Sequence, residues 1–142
     1  MNIELLTEKN QLQGTMYYEF ALGPHTGSHW TSGSVFIHYE VFRLIEGVVS
    51  QSVNGFNPYG PTTMSQGRIS ELSAALKDFG HRVGKADAPE EVYGPLWTQI
   101  DEAVSERPWA TLKNDITRLT GELRRWLDIK ASAGNQITIL GI

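Results

Sequence analysis

Large apolar residues recur along this chain at two different periods, and the change of period divides it into elements. Between Arg107 and Ala131, Trp109, Leu112, Ile116, Leu119, Leu123 and Trp126 stand three, four, three, four and three residues apart. That spacing draws one stripe down a helix, whereas a strand would scatter the same residues over both faces. Pro108 suits a first turn that needs no backbone N–H, Ser105 or Glu106 can sit just outside, and Gly134 follows the end. Such a helix is about 37 Å long at about 1.5 Å per residue. Ile69, Leu72, Leu76 and Phe79 repeat the spacing behind a Thr63–Gln66 capping box, with Gly80 and Gly84 as stops. Two stripes of equal period predict two helices packed lengthwise at a shallow angle.

A period of two appears near both ends. Met16, Tyr18, Phe20 and Leu22 alternate with Tyr17, Glu19 and Ala21, which predicts a half-buried strand over Thr15–Leu22. Asn2–Leu6 reads as a shorter strand forming a hairpin with it, and the β-rich run Gln136–Ile142 as a terminal strand that pairs with the hairpin. Val35–Val53 opens with a β-like run, but Ile37, Val41, Leu44, Ile45, Val48 and Val49 keep helical spacing behind Ser34, so a helix is predicted. Glu90–Ser105 reads as a shorter helix, broken or begun at Gly94–Pro95, that buries Leu96, Trp97, Ile100 and Val104. Gly23–Ser34 and Asn54–Thr63 are loops. The expected architecture is one α+β domain over residues 1–142, in which a small antiparallel sheet, the amino-terminal hairpin plus the carboxyl-terminal strand, packs on about four helices.

Composition narrows the function classes. The chain has 142 residues, enough for a real core, and its hydrophobic share of 40% is that of a globular protein. The lack of cysteine excludes disulfides, a thiolate nucleophile and Cys-based metal centres. No signal-peptide pattern opens the chain, and its most apolar window, Val35–Val53, is interrupted by charges, which predicts a soluble cytoplasmic protein with no membrane partner. A net charge of −4 argues against direct nucleic-acid binding. Charge is also segregated. From Ala86 to Glu106 the chain carries Asp87, Glu90, Glu91, Asp101, Glu102 and Glu106 and no Lys, Arg or His, whereas the next helix is rich in Arg and Lys. Two arrangements account for this: the acidic segment packs near the basic helix, or it faces a basic partner and steers its approach. In the second, Asp87, Glu90, Glu91, Asp101 and Glu102 steer, and Tyr93 and Trp97 are candidate anchors.

Catalytic chemistry has few candidates. The loop Gly23–Ser34 holds His25 and His29 beside Ser28, with Tyr17, Tyr18 and Glu19 on the neighbouring strand. His25 and His29 have a metal-binding spacing only on a helix, which glycine and proline disfavour here, and no HExxH or GxSxG motif occurs. No metal, cofactor or catalytic residue is assigned on these grounds. A small hydrolase-like enzyme, or a ligand-binding protein using the His25/His29 loop, is the alternative function. Trp30 is expected to anchor the loop by burying its ring.

The stretches HWTSGSVFIHYEVFRLI and FNPYGPTTMSQGRISEL, within residues 29–79, place a Trp-containing glycine turn before one helix and a Tyr-Gly-x-Thr turn before the next. In that layout, and as a small, acidic, cysteine-free α+β chain, the protein resembles immunity proteins that neutralise toxins of contact-dependent growth inhibition and related interbacterial systems. The resemblance implies a non-catalytic protein that binds a cognate toxin domain, such as a nuclease, and blocks its active site or substrate approach. A basic toxin would suit the acidic segment. The sequence leaves monomer and homodimer both open.

Overall fold

The structure, a computed structural model, describes residues 1–142. In chain order its elements are β1 (Tyr17–Leu22), β2 (Val35–His38), α1 (Tyr39–Phe42), α2 (Glu46–Ser52), β3 (Pro61–Met64), α3 (Gln66–Lys85), α4 (Glu90–Tyr93), α5 (Glu102–Ser105), α6 (Trp109–Ser132) and β4 (Ile137–Leu140). Four antiparallel strands in the order β2-β1-β4-β3 make one sheet, and the helices cover one of its faces. The fold is α+β, as the alternation of periods predicts. No helix is long and apolar enough to cross a membrane.

The helical layer is organised by α3 and α6, which pack against each other along their lengths. Leu112, Ile116, Leu119 and Leu123 of α6 are fully buried, as are Ile69, Leu72 and Leu76 of α3. Each such side chain contributes about 1.5–3 kcal/mol of transfer free energy. Leu127 completes the buried seam, and Trp126 lies half-buried at its edge. Gly80 and Gly84 do not stop α3, which continues to Lys85. At Gly80 the absence of a side chain serves contact instead: a Cβ there would stand 3.3 Å from the Thr120 hydroxyl of α6. The helix starts two residues later than Thr63–Gln66 implies, because Ser65 is the cap, accepting from the Arg68 N–H. Thr63 lies in β3, where its hydroxyl meets that of Thr138 at 2.9 Å.

Two further expectations are corrected. Asn2–Leu6 is not a strand; only Leu6 bridges to Phe36, so the hairpin is β1 with β2, joined by the long loop. Val35–His38 is strand rather than helix. Phe36 and Ile37, neighbours in sequence, are both buried but join different apolar clusters on opposite sheet faces, as only an extended chain allows. Helical spacing takes over at Tyr39, where the His38 imidazole caps α1 by accepting from the Glu40 N–H at 3.2 Å.

Strand β1 is buried on both faces. Tyr18 and Phe20 face the helices with Val35, Ile37, Ile137 and Ile139. On the other face Tyr17 packs with Leu6 and Phe36, flanked by Leu12 and Trp30. The amino-terminal segment and the 23–34 loop therefore cover the outer face at the β1–β2 end of the sheet. Within the strand predicted as half-buried, Tyr17–Ala21 are buried on both faces because of this second cover, while Met16 stays exposed and Leu22 partly so.

Candidate functional site

Residues 86–108 form a chain of single turns rather than the short helix the apolar spacing predicts. Gly94, at φ 56° and ψ −140°, ends α4, and Pro95 opens a 3-10 turn over Gly94–Gln99. Asp101 then caps α5, accepting from the Ala103 N–H at 2.8 Å. Glu91 folds back to accept from the N–H groups of Asp87 and Ala88 at 2.6 and 2.7 Å. All of Asp87, Glu90, Glu91, Asp101, Glu102 and Glu106 are exposed. None is ion-paired. The only salt bridges join Arg107 and Arg118 to Asp115, at 3.6 and 3.0 Å. Arg118 thus pairs within α6 and also donates to the Ile3 carbonyl, and Arg124 donates to α3 through the Ser73 carbonyl. The acidic segment does pack beside the start of α6, through Trp97 and Trp109, but its carboxylates make no ion pair with that helix.

The two candidate anchors, Tyr93 and Trp97, lie within the same run of turns. Tyr93 stacks on Trp97 at 5.2 Å between ring centroids, meets Phe79 edge-on at 6.1 Å, and donates its hydroxyl to the Leu44 carbonyl at 2.9 Å. Burial pushes the Tyr93 phenol up, against the opposing influence of the Arg82 charge. Trp97 in turn meets Trp109 edge-on at 6.1 Å, and the Trp109 indole N–H donates to the Ala86 carbonyl. Both Tyr93 and Trp97 are partly buried and pack against the core. Leu96, expected inside, is 59% exposed. The 3-10 turn rotates it away from the stripe that a continuous helix would have made. It stands at the rim of a groove of about 270 Å³ between α2 and the acidic turns, with Arg43 and Arg82 on its lining.

A second concavity lies on the outer sheet face. Directly opposed residues put Pro61, Leu140, Glu19 and Phe36 in one row there. Glu19 is 1% exposed, and its carboxylate accepts from the Trp30 and Thr31 N–H groups and from the Thr31 and Ser34 hydroxyls, the last at 2.6 Å. A buried charge is tolerable only when bonded this completely. The carboxylate thereby pins the 23–34 loop over the sheet. His25 and His29, both exposed, lie 6.4 Å apart between ring centroids and line a cup of about 480 Å³ with Trp30 and Tyr59. No group of three or more His, Asp or Glu side chains is placed to hold a metal, and two imidazoles fall short of the three protein ligands of a catalytic zinc. The Ser34 hydroxyl serves Glu19 rather than a histidine. Of the candidates around the loop, Tyr18 faces the helices, stacked on Phe42 at 3.8 Å, away from the cup.

Sequence reasoning did not find the role of Glu19 or the exposure of Leu96 and Tyr59. Glu19 carried one usable signal, a carboxylate inside an alternating apolar strand beside a loop rich in hydroxyl groups. Compared with known protein families, with curated proteins and with solved structures, the chain matches none.

Proposed function

We propose that this chain is a non-catalytic protein-binding domain, an immunity protein that binds and neutralises a cognate toxin domain, with residues 87–106 facing a basic surface of that partner. The observation that carries the proposal is the set of exposed carboxylates with no cation of the same chain paired to them. Unpaired charges of one sign project a field over about a Debye length, roughly 8 Å at physiological salt, and accelerate encounter with the opposite charge. Asp87, Glu90, Glu91, Asp101 and Glu102 supply that field. Leu96, exposed among them, supplies apolar surface to bury once contact is made. Tyr93 and Trp97, partly buried, hold the turns in place through their stacking and the Tyr93 bond to Leu44. A nuclease domain suits this surface because the cations it needs for phosphate are complementary to it. The reading assigns no cofactor and no catalytic residue to this chain.

The test begins with the neighbouring reading frames. A secreted protein with a toxic carboxyl-terminal domain encoded directly upstream is the expected finding; co-expression of the present chain then restores growth, and the two proteins co-elute. The triple variant Asp87→Lys, Glu90→Lys, Glu102→Lys leaves the backbone caps of Glu91 and Asp101 intact. It should slow association at low salt by about ten-fold or more and flatten the salt dependence. A neighbouring toxin domain that kills regardless, or association kinetics unchanged by the three reversals, overturns the proposal.

A further inference from the structure

The cup on the outer sheet face shares no residue with the acidic segment, and each of its two walls is held by hydrogen bonds. Trp30 on the first wall is the one non-glycine residue of the chain with positive φ, at 57°. A left-handed backbone is strained for an L residue, and such strain persists where the surroundings impose it. Here they do: Glu19 takes the Trp30 and Thr31 N–H groups together. On the second wall, Tyr59 tops a turn in which its own N–H donates to the Asn57 side chain at 3.0 Å and the Gly60 N–H to the Asn57 carbonyl at 3.3 Å. That turn sits so close to Gly141 that a Cβ there would overlap the Pro58 carbonyl oxygen. On this hydrogen-bonded turn Tyr59 is nevertheless 82% exposed.

The lining chemistry selects a ligand class. It contains no Asp, Glu, Asn, Gln, Lys or Arg. It therefore lacks the carboxylate and carboxamide side chains that hold sugar hydroxyls and the Lys and Arg side chains that hold phosphates. What the cup offers is the aromatic side chains of Trp30, Tyr59 and Tyr17, two imidazoles, the Thr15 hydroxyl and the apolar Leu140. Rings take planar partners by stacking, and the imidazole and hydroxyl groups donate to ring nitrogens or carbonyl oxygens. The volume of about 480 Å³ falls within the range of small-molecule sites, roughly 300–1,000 Å³. We propose that the cup between the 23–34 loop and the Tyr59 turn binds an uncharged, planar heteroaromatic molecule of one or two rings, of nucleobase type. The ligand stacks on Tyr59 and Trp30, and His25 and His29 bond its acceptor atoms.

The probes are adenine, hypoxanthine and uracil, with glucose and inorganic phosphate as contrasts, titrated into the full chain and followed by calorimetry and by amide and indole N–H resonances. At least one planar probe should bind saturably and move the Trp30 indole signal. Tyr59→Ala, at a position too exposed to threaten the fold, should weaken that binding by about five-fold or more, and His25→Ala with His29→Ala should weaken it again. The proposal is overturned if all three planar probes fail to saturate, if Tyr59→Ala leaves binding unchanged, or if glucose or phosphate occupies the cup instead.

Discussion

Replacing Glu19 by Gln separates the charge of this buried side chain from its shape. One carboxylate oxygen accepts from the Thr31 N–H at 3.0 Å, the Thr31 hydroxyl at 3.3 Å and the Ser34 hydroxyl at 2.6 Å, while the other accepts from the Trp30 N–H. A carboxamide has only one acceptor oxygen. Placed toward Thr31 and Ser34, it leaves an NH2 group facing the Trp30 N–H, donor against donor. Three charge-assisted bonds then become neutral ones, a loss of about 1 kcal/mol each, and an unsatisfied N–H adds about 1–3 kcal/mol. Against this stands the relief of no longer burying a charge, worth a few kcal/mol by order of magnitude. The balance is a destabilisation of about 2 kcal/mol. For a chain of this size that lowers the melting temperature by about 4–8 °C and the urea midpoint by about 1 M. Hydrogen exchange should localise the effect, with the Trp30 and Thr31 amides losing protection before those of β1 and β4. Equal midpoints for Glu19→Gln and the parent, with unchanged protection at Trp30 and Thr31, would refute the account of Glu19 as the clamp of the loop.

Stability should fall on the alkaline side, because burial raises the Tyr18 phenol to about 12 and raises Tyr93 as well, while an unfolded tyrosine ionises near 10. Above pH 10 the unfolded chain then releases protons that the folded chain retains, so rising pH favours unfolding. Urea midpoints between pH 8 and 11 should show the decline; Tyr93→Phe should lower stability at pH 8 by about 1 kcal/mol, through the lost bond to Leu44, yet flatten the alkaline fall. Parallel declines in the two proteins would remove Tyr93 as the cause. Leu123→Ala, at a fully buried position of α6, should cost about 2–5 kcal/mol in chemical denaturation, whereas Leu96→Ala should stay within about 0.5 kcal/mol. A large cost at Leu96 would contradict its placement on the surface.

The long helix was legible in the sequence because Leu112, Ile116, Leu119 and Leu123 all face one neighbour, so a single period describes them. The strand at Ile137–Leu140 and the loop after Leu22 were legible for equally local reasons, β-branched residues in one and glycine with proline in the other. Legibility failed where a segment has two neighbours. Val35–His38 shares the helical phase of Val41, Leu44 and Val48, yet its residues bury on both sheet faces. The acidic side chains were legible as a charged run, but their freedom from ion pairs depends on where Arg107 and Arg118 turn, which is toward Asp115.

The sequence by itself determined the periods, and with them which residues of each element share a face, the acidic run, and the absence of cysteine chemistry. Only the tertiary structure decided what each face meets: the second cover over β1, the burial of Glu19, the rings among the acidic turns and the cup beside Tyr59. The physical reason is range. Backbone sterics and side-chain spacing act over a few residues and are written locally. Burial and hydrogen-bond satisfaction depend on groups such as Glu19 and Ser34, or Tyr93 and Leu44, that the folded chain brings together from distant positions.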